Sequence, residues 1–402
     1  MQFLRPDAIL SDAEALYLDH VLLVEGAHIA ALVPYAELGR AYPVQRYPGE
    51  LWTAAPVLAH AHLESHDAPS ARWRRERFAE WVGELLAWRA QAGRLSPRES
   101  AWRALAELSA AGCGLVLAHV GEPGADGRFG PQRQAAPRFP EVVAFPEIFA
   151  PDPAETEDWL ARLDRRPPQA GGGYALHAPY SVSESLATGV FARARAWSVL
   201  VSIHLGEHAE ERQMLQGAGP LSDLFAARGR PGKSGTWRSP VDWLAAVGGL
   251  RAPTLAVHGG DLDAAELDRL HRAKVPVAWC PGTHEYFNRP RPAFGGAGLP
   301  PPALGCDSRA SNAALDPLRE VRLARRLLPE FGPQAWWAAL THGGAQALRR
   351  RELGVLAAGR QARVLRLPWS GESAPAELCD RLTGDAQLRP LGPVCEPGSN
   401  GI

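Results

Sequence analysis

Lysine is nearly missing from this chain. Lys233 and Lys274 are the only two, arginine supplies almost all the positive charge, and any chemistry that needs a lysine has two positions to draw on. Net charge is nearly missing as well: 43 basic residues stand against 44 acidic ones, a formal −1. That balance gives no electrostatic case for nucleic acid or an anionic membrane as a partner. Cysteines are few and odd in number (Cys113, Cys280, Cys306, Cys379, Cys395), and no two form a C-x-x-C pair. A disulfide framework is therefore not expected, and a reducing compartment is. The first residues, Met-Gln-Phe-Leu-Arg-Pro-Asp, lack the basic-then-apolar pattern of a signal peptide, and no apolar run approaches the length of a membrane span. Repeats of solenoid period and low-complexity tracts are also absent. These absences predict a cytoplasmic protein acting on a small-molecule substrate. A homo-oligomer is compatible with the composition, though nothing in it requires one.

What is present is a core. Hydrophobic residues make up 46% of 402 positions, enough for a large α/β barrel with a smaller appendage. Residues 1–53 alternate short apolar and polar stretches punctuated by Gly26 and Gly49, which predicts a small antiparallel sheet. From Ala54 the rhythm changes. Apolar runs now alternate with helical stretches, the runs being Pro56–His62, Gly114–His119, Val142–Phe149, Tyr174–His177, Val199–Leu205, Thr254–His258, Val275–Cys280 and Ala303–Asp307. Strand and helix in turn, eight times, predict a (β/α)8 barrel over 54–352. The tail, 353–402, returns to short strand-like pieces such as 362–367, and is expected to join residues 1–53 in one small β-sandwich-like domain. The glycine-rich stretch Arg228–Trp237 reads as a mobile loop.

The chemistry is read from the strand ends, because the C-terminal ends of barrel strands build the active site. The first strand closes on His60 and His62, which alternation turns to the same side. The fourth ends in His177, the fifth in His204, the sixth in His258 and the eighth in Asp307. Each taken alone has a plainer explanation. A lone buried histidine is more often a satisfied core residue than a ligand; Asp307 before Ser308 fits a helix cap; Glu207 fits a helix start. All of those explanations would have to hold together on one face, so a metal centre is the better account. His119, at the end of the second strand, is left as a core histidine.

The motifs Pro56-Val57-Leu58-Ala59-His60-Ala61-His62-Leu63-Glu64, His177-Ala178-Pro179-Tyr180-Ser181, His204-Leu205-Gly206-Glu207, His258-Gly259, Cys280-Pro281-Gly282-Thr283-His284 and Leu304 to Asn312 follow in order along the barrel. The pattern resembles the metal-dependent amidohydrolase superfamily, in its cytosine, guanine and adenosine-type aminohydrolase branch. The resemblance implies metal ligands at His60, His62, His204 and Asp307. Neither lysine lies near the fourth strand, where many two-metal relatives carry a carboxylated one, so a single divalent cation is expected. Three nitrogens and one oxygen suit zinc, with ferrous iron the alternative. The resemblance further implies catalytic roles for Asp307 and His258 around the attacking water, and for Glu207 as the acid that protonates the ring nitrogen beside the attacked carbon. Substrate contacts are expected from Glu64, His177, Thr283, His284, Arg74 and Arg289; where Thr283 and His284 stand, the branch more usually carries Ser-Asn.

Within the branch, His-Ala-His-Leu-Glu and Cys-Pro-Gly-Thr-His-Glu-Tyr-Phe are most similar to the 6-aminodeoxyfutalosine deaminases of the alternative menaquinone pathway. Their substrate, an adenine nucleoside bearing a benzoate, calls for aromatic walls and a cation. The alternatives are an adenosine or S-adenosylhomocysteine deaminase, a guanine or triazine aminohydrolase, and, in another class, a barrel that serves only as a scaffold. A scaffold has no need of His60, His62, His204, Glu207, His258 and Asp307 together.

Overall fold

The computed structural model describes residues 1–39, 42–121, 140–165, 167–168, 171–233 and 235–392. Its strands in chain order are β1 (Gln2–Leu10), β2 (Leu16–Leu18), β3 (His20–Glu25), β4 (His28–Pro34), β5 (Val44–Ala54), β6 (Val57–Ala61), β7 (Leu115–Val120), β8 (Glu141–Ile148), β9 (Gly173–Leu176), β10 (Leu200–Leu205), β11 (Thr254–His258), β12 (Val277–Trp279), β13 (Ala303–Leu304) and β14 (Val364–Pro368). Strands β6 to β13 form one eight-stranded sheet in sequential order, each parallel to its neighbour. β7 and β10 are buried along their whole length, as strands covered on both faces must be. The sheet closes between its first and last strands by a parallel bridge from Ala61 to Asp307. Two backbone bonds seal it, from the His62 N–H to the Asp307 carbonyl and from the Cys306 N–H to the His60 carbonyl, each 2.9 Å. This is a (β/α)8 barrel.

The remaining strands form a separate six-stranded sheet in the order β14-β5-β1-β3-β4, with β2 beside β1. β14 comes from the far end of the chain, so the two terminal segments share one sheet. That sheet is mixed, because β1 and β5 run parallel where an antiparallel arrangement was expected. The tail also holds a helix, Pro375–Gly384, where strand-like pieces were expected. Proline stands at its first turn and Leu378, Cys379 and Leu382 line a buried stripe.

Other departures are local. The helix expected from Arg74 begins at Phe78, and the one expected over Ala335–Arg350 is interrupted by a π turn at Ala339–Gly343. The eighth barrel strand is regular only at Ala303–Leu304, since Asp307 takes a left-handed conformation, φ 55°. Two residues of the stretch expected to be a mobile loop, Lys233 and Trp237, bond to residues at the start of the helix Glu184–Trp197. Lys233 Nζ donates to the Val182 carbonyl at 2.6 Å, and Trp237 Nε1 donates to Glu184 Oε1 at 2.7 Å. Cys113, Cys280, Cys306 and Cys379 are buried and free; Cys395 lies outside the described residues. Among the described residues no helix is long and apolar enough to cross a membrane.

Candidate active site

Alternation along β7 turns Leu115, Leu117 and His119 to one side, and His119 meets Ser202 of the non-adjacent β10, so that side is the barrel interior. Val57 and Ala59 pack in the same inner cluster. Strict alternation would then turn His60 outward. The pairing of β6 with β7 is irregular between Leu58 and Ala61, and this bulge resets the parity so that His60 and His62 face inward.

There they meet the other strand ends. Nε2 of His204 lies 3.4 Å from Nε2 of His60 and 3.2 Å from Nε2 of His62. Asp307 Oδ1 stands 3.7 Å from His60 Nε2 and 3.9 Å from His62 Nε2. Four ligands at 2.0–2.2 Å around a tetrahedral ion stand roughly 3.3–3.6 Å apart, so the Nε2 atoms of His204, His60 and His62 are at that spacing while Asp307 stands slightly farther out, in a group with Glu207 and His258. The protonation of the set also fits. Burial pushes the pKa of His60 and of His62 well below the usual histidine value and that of His204 to about 4, which leaves their lone pairs open at neutral pH. Asp307 is held from behind, its Oδ2 accepting from Thr283 Oγ1 at 2.9 Å and from Ser311 Oγ at 2.7 Å.

Glu207 and His258 complete this face. The chain turns sharply at Gly206 (φ +61°), where a Cβ would lie 2.4 Å from Leu262 Cδ2, and so carries Glu207 over the barrel mouth. Glu207 Oε2 is 3.8 Å from His258 Nε2, and Oε1 is 3.8 Å from Arg289 Nη2. Burial lifts the Glu207 pKa to about 8 against the opposing pull of Arg289. His258 sits at φ 75°, an uncommon conformation for a residue with a side chain, and such strain gathers at working sites. Arg289 is buried, and its Nε and Nη2 have no hydrogen-bond partner. These two N–H groups form one side of the guanidinium fork.

The expected substrate contacts divide. His177 faces the cluster, its ring 5.2 Å from that of His204 and its Nδ1 2.6 Å from Ser181 Oγ. Glu64 lies at the rim, its Oε2 accepting the Gly121 N–H at 3.1 Å. Thr283 reaches Asp307 and acts as its support. His284 is turned away: one ring nitrogen bonds the Pro290 carbonyl at 2.8 Å, and its Nδ1 stands against the Gly260 backbone, where a Cβ would come within 2.9 Å. Arg74 does not join the site either. It precedes the helix rather than opening it, and its exposed guanidinium pairs with Glu80.

Three residues of the inner layer had no expected role. His119 shares the metal-ligand neighbourhood of His60, His62 and His204, but both of its nitrogens are engaged, Nε2 with Ser202 Oγ at 2.7 Å and Nδ1 with Glu147 Oε1 at 3.3 Å. Glu147 in turn groups with His177 and His204. A polar residue at inward parity in an apolar strand was the available signal for Ser202 and Glu147.

The amidohydrolase family model matches residues 58–367. An aminodeoxyfutalosine deaminase of Deinococcus radiodurans is 29% identical over 352 residues, covering 82% of this chain and 81% of that one. A 5-methylthioadenosine/S-adenosylhomocysteine deaminase of Pyrococcus abyssi is 33% identical over 163 residues, 38% of this chain and 32% of that one. The structure of Helicobacter pylori aminofutalosine deaminase in complex with methylthio-coformycin superposes with a TM-score of 0.79 over 97% of both chains at 18% identity.

Proposed function

The chain belongs to the amidohydrolase family, and from that premise we propose that it is a metal-dependent deaminase of an adenine-type nucleoside, converting 6-aminodeoxyfutalosine to futalosine and ammonia in menaquinone biosynthesis. It is a hydrolytic deaminase acting on carbon–nitrogen bonds; the substrate is the proposal. The observation that supports it is the clustering of His60, His62 and His204, with Asp307 near the first two and Glu207 and His258 grouped with Asp307.

His60, His62, His204 and Asp307 would hold the ion, and their donor set favours zinc over ferrous iron. A divalent cation there supplies the Lewis acidity that brings the pKa of a water down to about 7. Asp307 takes the proton of the attacking water, and His258 orients that water toward the amino-bearing carbon. Glu207, largely protonated at neutral pH, gives its proton to the adjacent ring nitrogen. The proton gathered by Asp307 then leaves with the amine as ammonia, and the hydroxyl proton of the adduct returns to Glu207 as the carbonyl forms. Arg289 offers N–H groups that lack a hydrogen-bond partner to acceptors of the substrate next to Glu207, His177 lines the path outward, and Glu64 stands at the rim. Phe149, Tyr180 and Phe225 supply aromatic walls for an aryl substituent, with Phe149 exposed and 5.3 Å from the His177 ring.

Metal analysis combined with ammonia release over a panel of adenine nucleosides tests this reading. One ion per chain, and release confined to the benzoate-bearing nucleoside, is the expected result. Release from S-adenosylhomocysteine or adenosine in its place would move the assignment to the relatives of that kind, and a metal-free, inert protein would leave a scaffold.

A further inference from the structure

We infer that Glu147 recognises a ribose, its carboxylate taking the 2′- and 3′-hydroxyls of the bound nucleoside. The inference rests on the nucleoside deaminase reading and adds a sugar subsite to it. Glu147 is the next-to-last residue of β8 and shares parity with Phe145, whose ring packs inside the barrel. Its side chain is 16% exposed, so the carboxylate looks into the open mouth.

Its surroundings fix what it can accept. His119 Nδ1 faces Glu147 Oε1 at 3.3 Å, while the other nitrogen of that ring is taken by Ser202. A proton on His119 Nδ1 is aimed at the carboxylate, and this contact takes Oε1 and not Oε2. The neighbouring imidazole is set in a similar way. Ser181 Oγ donates to the Ala178 carbonyl at 3.2 Å and so receives the Nδ1 proton of His177. The remaining nitrogen of His177, Nε2, is left as a bare acceptor. Glu147 and His177 stand side by side, a carboxylate oxygen of one and a ring nitrogen of the other within 4.8 Å, and each has an acceptor not used by His119 or Ser181. A ligand edge that satisfies such a pair must carry two donors, and a cis-diol does. Hydrogen bonds from hydroxyls to an ionised carboxylate are short and strong.

The order of groups agrees. Glu147 and His177 group with His204 at the metal-binding face, and the exposed ring of Phe149 lies beyond them against His177 and Phe225. A nucleoside with a 5′ aryl substituent has the same sequence of parts: reacting base, sugar diol, apolar group.

The test sets Glu147→Gln against the parent, with an adenine ribonucleoside substrate and its 2′,3′-dideoxy counterpart, reading kcat/KM for ammonia release and metal content. Loss of a charge-assisted pair is expected to lower kcat/KM about 10- to 100-fold on the ribonucleoside. Turnover of the dideoxy compound and the bound metal should be unchanged. Glu147→Asp, which keeps the charge but withdraws it by one methylene, should show the same selective loss, and it serves if the glutamine variant does not fold. Equal losses on both substrates, or a fall in metal content, would overturn the inference while leaving the deaminase reading intact. A parent enzyme that releases ammonia from no adenine nucleoside would overturn both.

Discussion

Replacing Glu207 by glutamine separates proton delivery from everything else the site does. Glutamine matches the size of the side chain and can still donate a hydrogen bond to a ring nitrogen, but it has no proton to release. In the parent, burial raises the Glu207 pKa to about 8, which favours the protonated acid near neutral pH. Proton transfer by a placed acid contributes about 10² to 10⁴ in rate, or roughly 3–5 kcal/mol of barrier. Glu207→Gln should therefore lower kcat by at least about 100-fold. KM should change little, and the metal should remain, because Glu207 stands 3.8 Å from His258 and outside the His60, His62 and His204 set. The pH profile gives a second reading. With a raised pKa the proton is present below about 8 and lost above it, and a cation beside Asp307 lowers that value. The parent should thus show an alkaline fall in kcat at or below pH 8, and the variant should lack it. Ammonia release measured from pH 6 to 9 on metal-loaded protein reads both. A variant whose kcat stays within about tenfold of the parent would refute the role of Glu207 as the acid.

Two further changes probe the frame around the site. A Cβ on Gly305 would meet Cys280 Sγ at 2.9 Å and both the Cβ and carbonyl oxygen of His60 at 3.0 Å, so Gly305→Ala should cost about 1–3 kcal/mol by overpacking and displace His60; unchanged melting together with full metal content would contradict this. Glu320 is fully buried, accepting from the Gly282 N–H and Asn312 Nδ2 at 2.7 Å each, and burial raises its pKa to about 7 from an ordinary 4.5. A raised carboxyl favours the folded state below pH 4.5, and that contribution is lost as pH climbs to 7, a swing of roughly 3 kcal/mol. Glu320→Gln should flatten the fall in thermal stability across that window, and a profile that overlays the parent's would rule the effect out.

The parts of the site legible in the sequence are those an apolar strand carries to its end. His60, His62, His204, His258 and Asp307 each close such a run, and barrel geometry brings those ends to one mouth. Glu207 was legible because it follows His204 past the strand, where the chain turns. Glu147 and Ser202 were hidden, since each sits within a strand and only the direction of the pleat shows that it faces inward. Thr283 and His284 follow one another in sequence but diverge in space, because the short helix Pro281–Tyr286 turns one toward Asp307 and the other toward Pro290. Arg74 looked available as a cation because its neighbour Glu80 is not visible as a partner until the helix from Phe78 is built. In the tail, proline and glycine suggested turns, and the helix Pro375–Gly384 forms because three apolar side chains find a surface to cover.

The bonds between His62 and Asp307 and between Cys306 and His60 join the two ends of the barrel sheet at three of the residues, His60, His62 and Asp307, proposed to hold the ion. An ion held there would act as a rivet through a joint whose last plank, β13, has only two residues of regular strand. On the proposed ligand set, anchoring the wall and preparing the reaction would be one task given to one set of residues. Loosening the grip to quicken exchange of the ion would slacken the stave it fastens, so this enzyme has little freedom to trade one against the other.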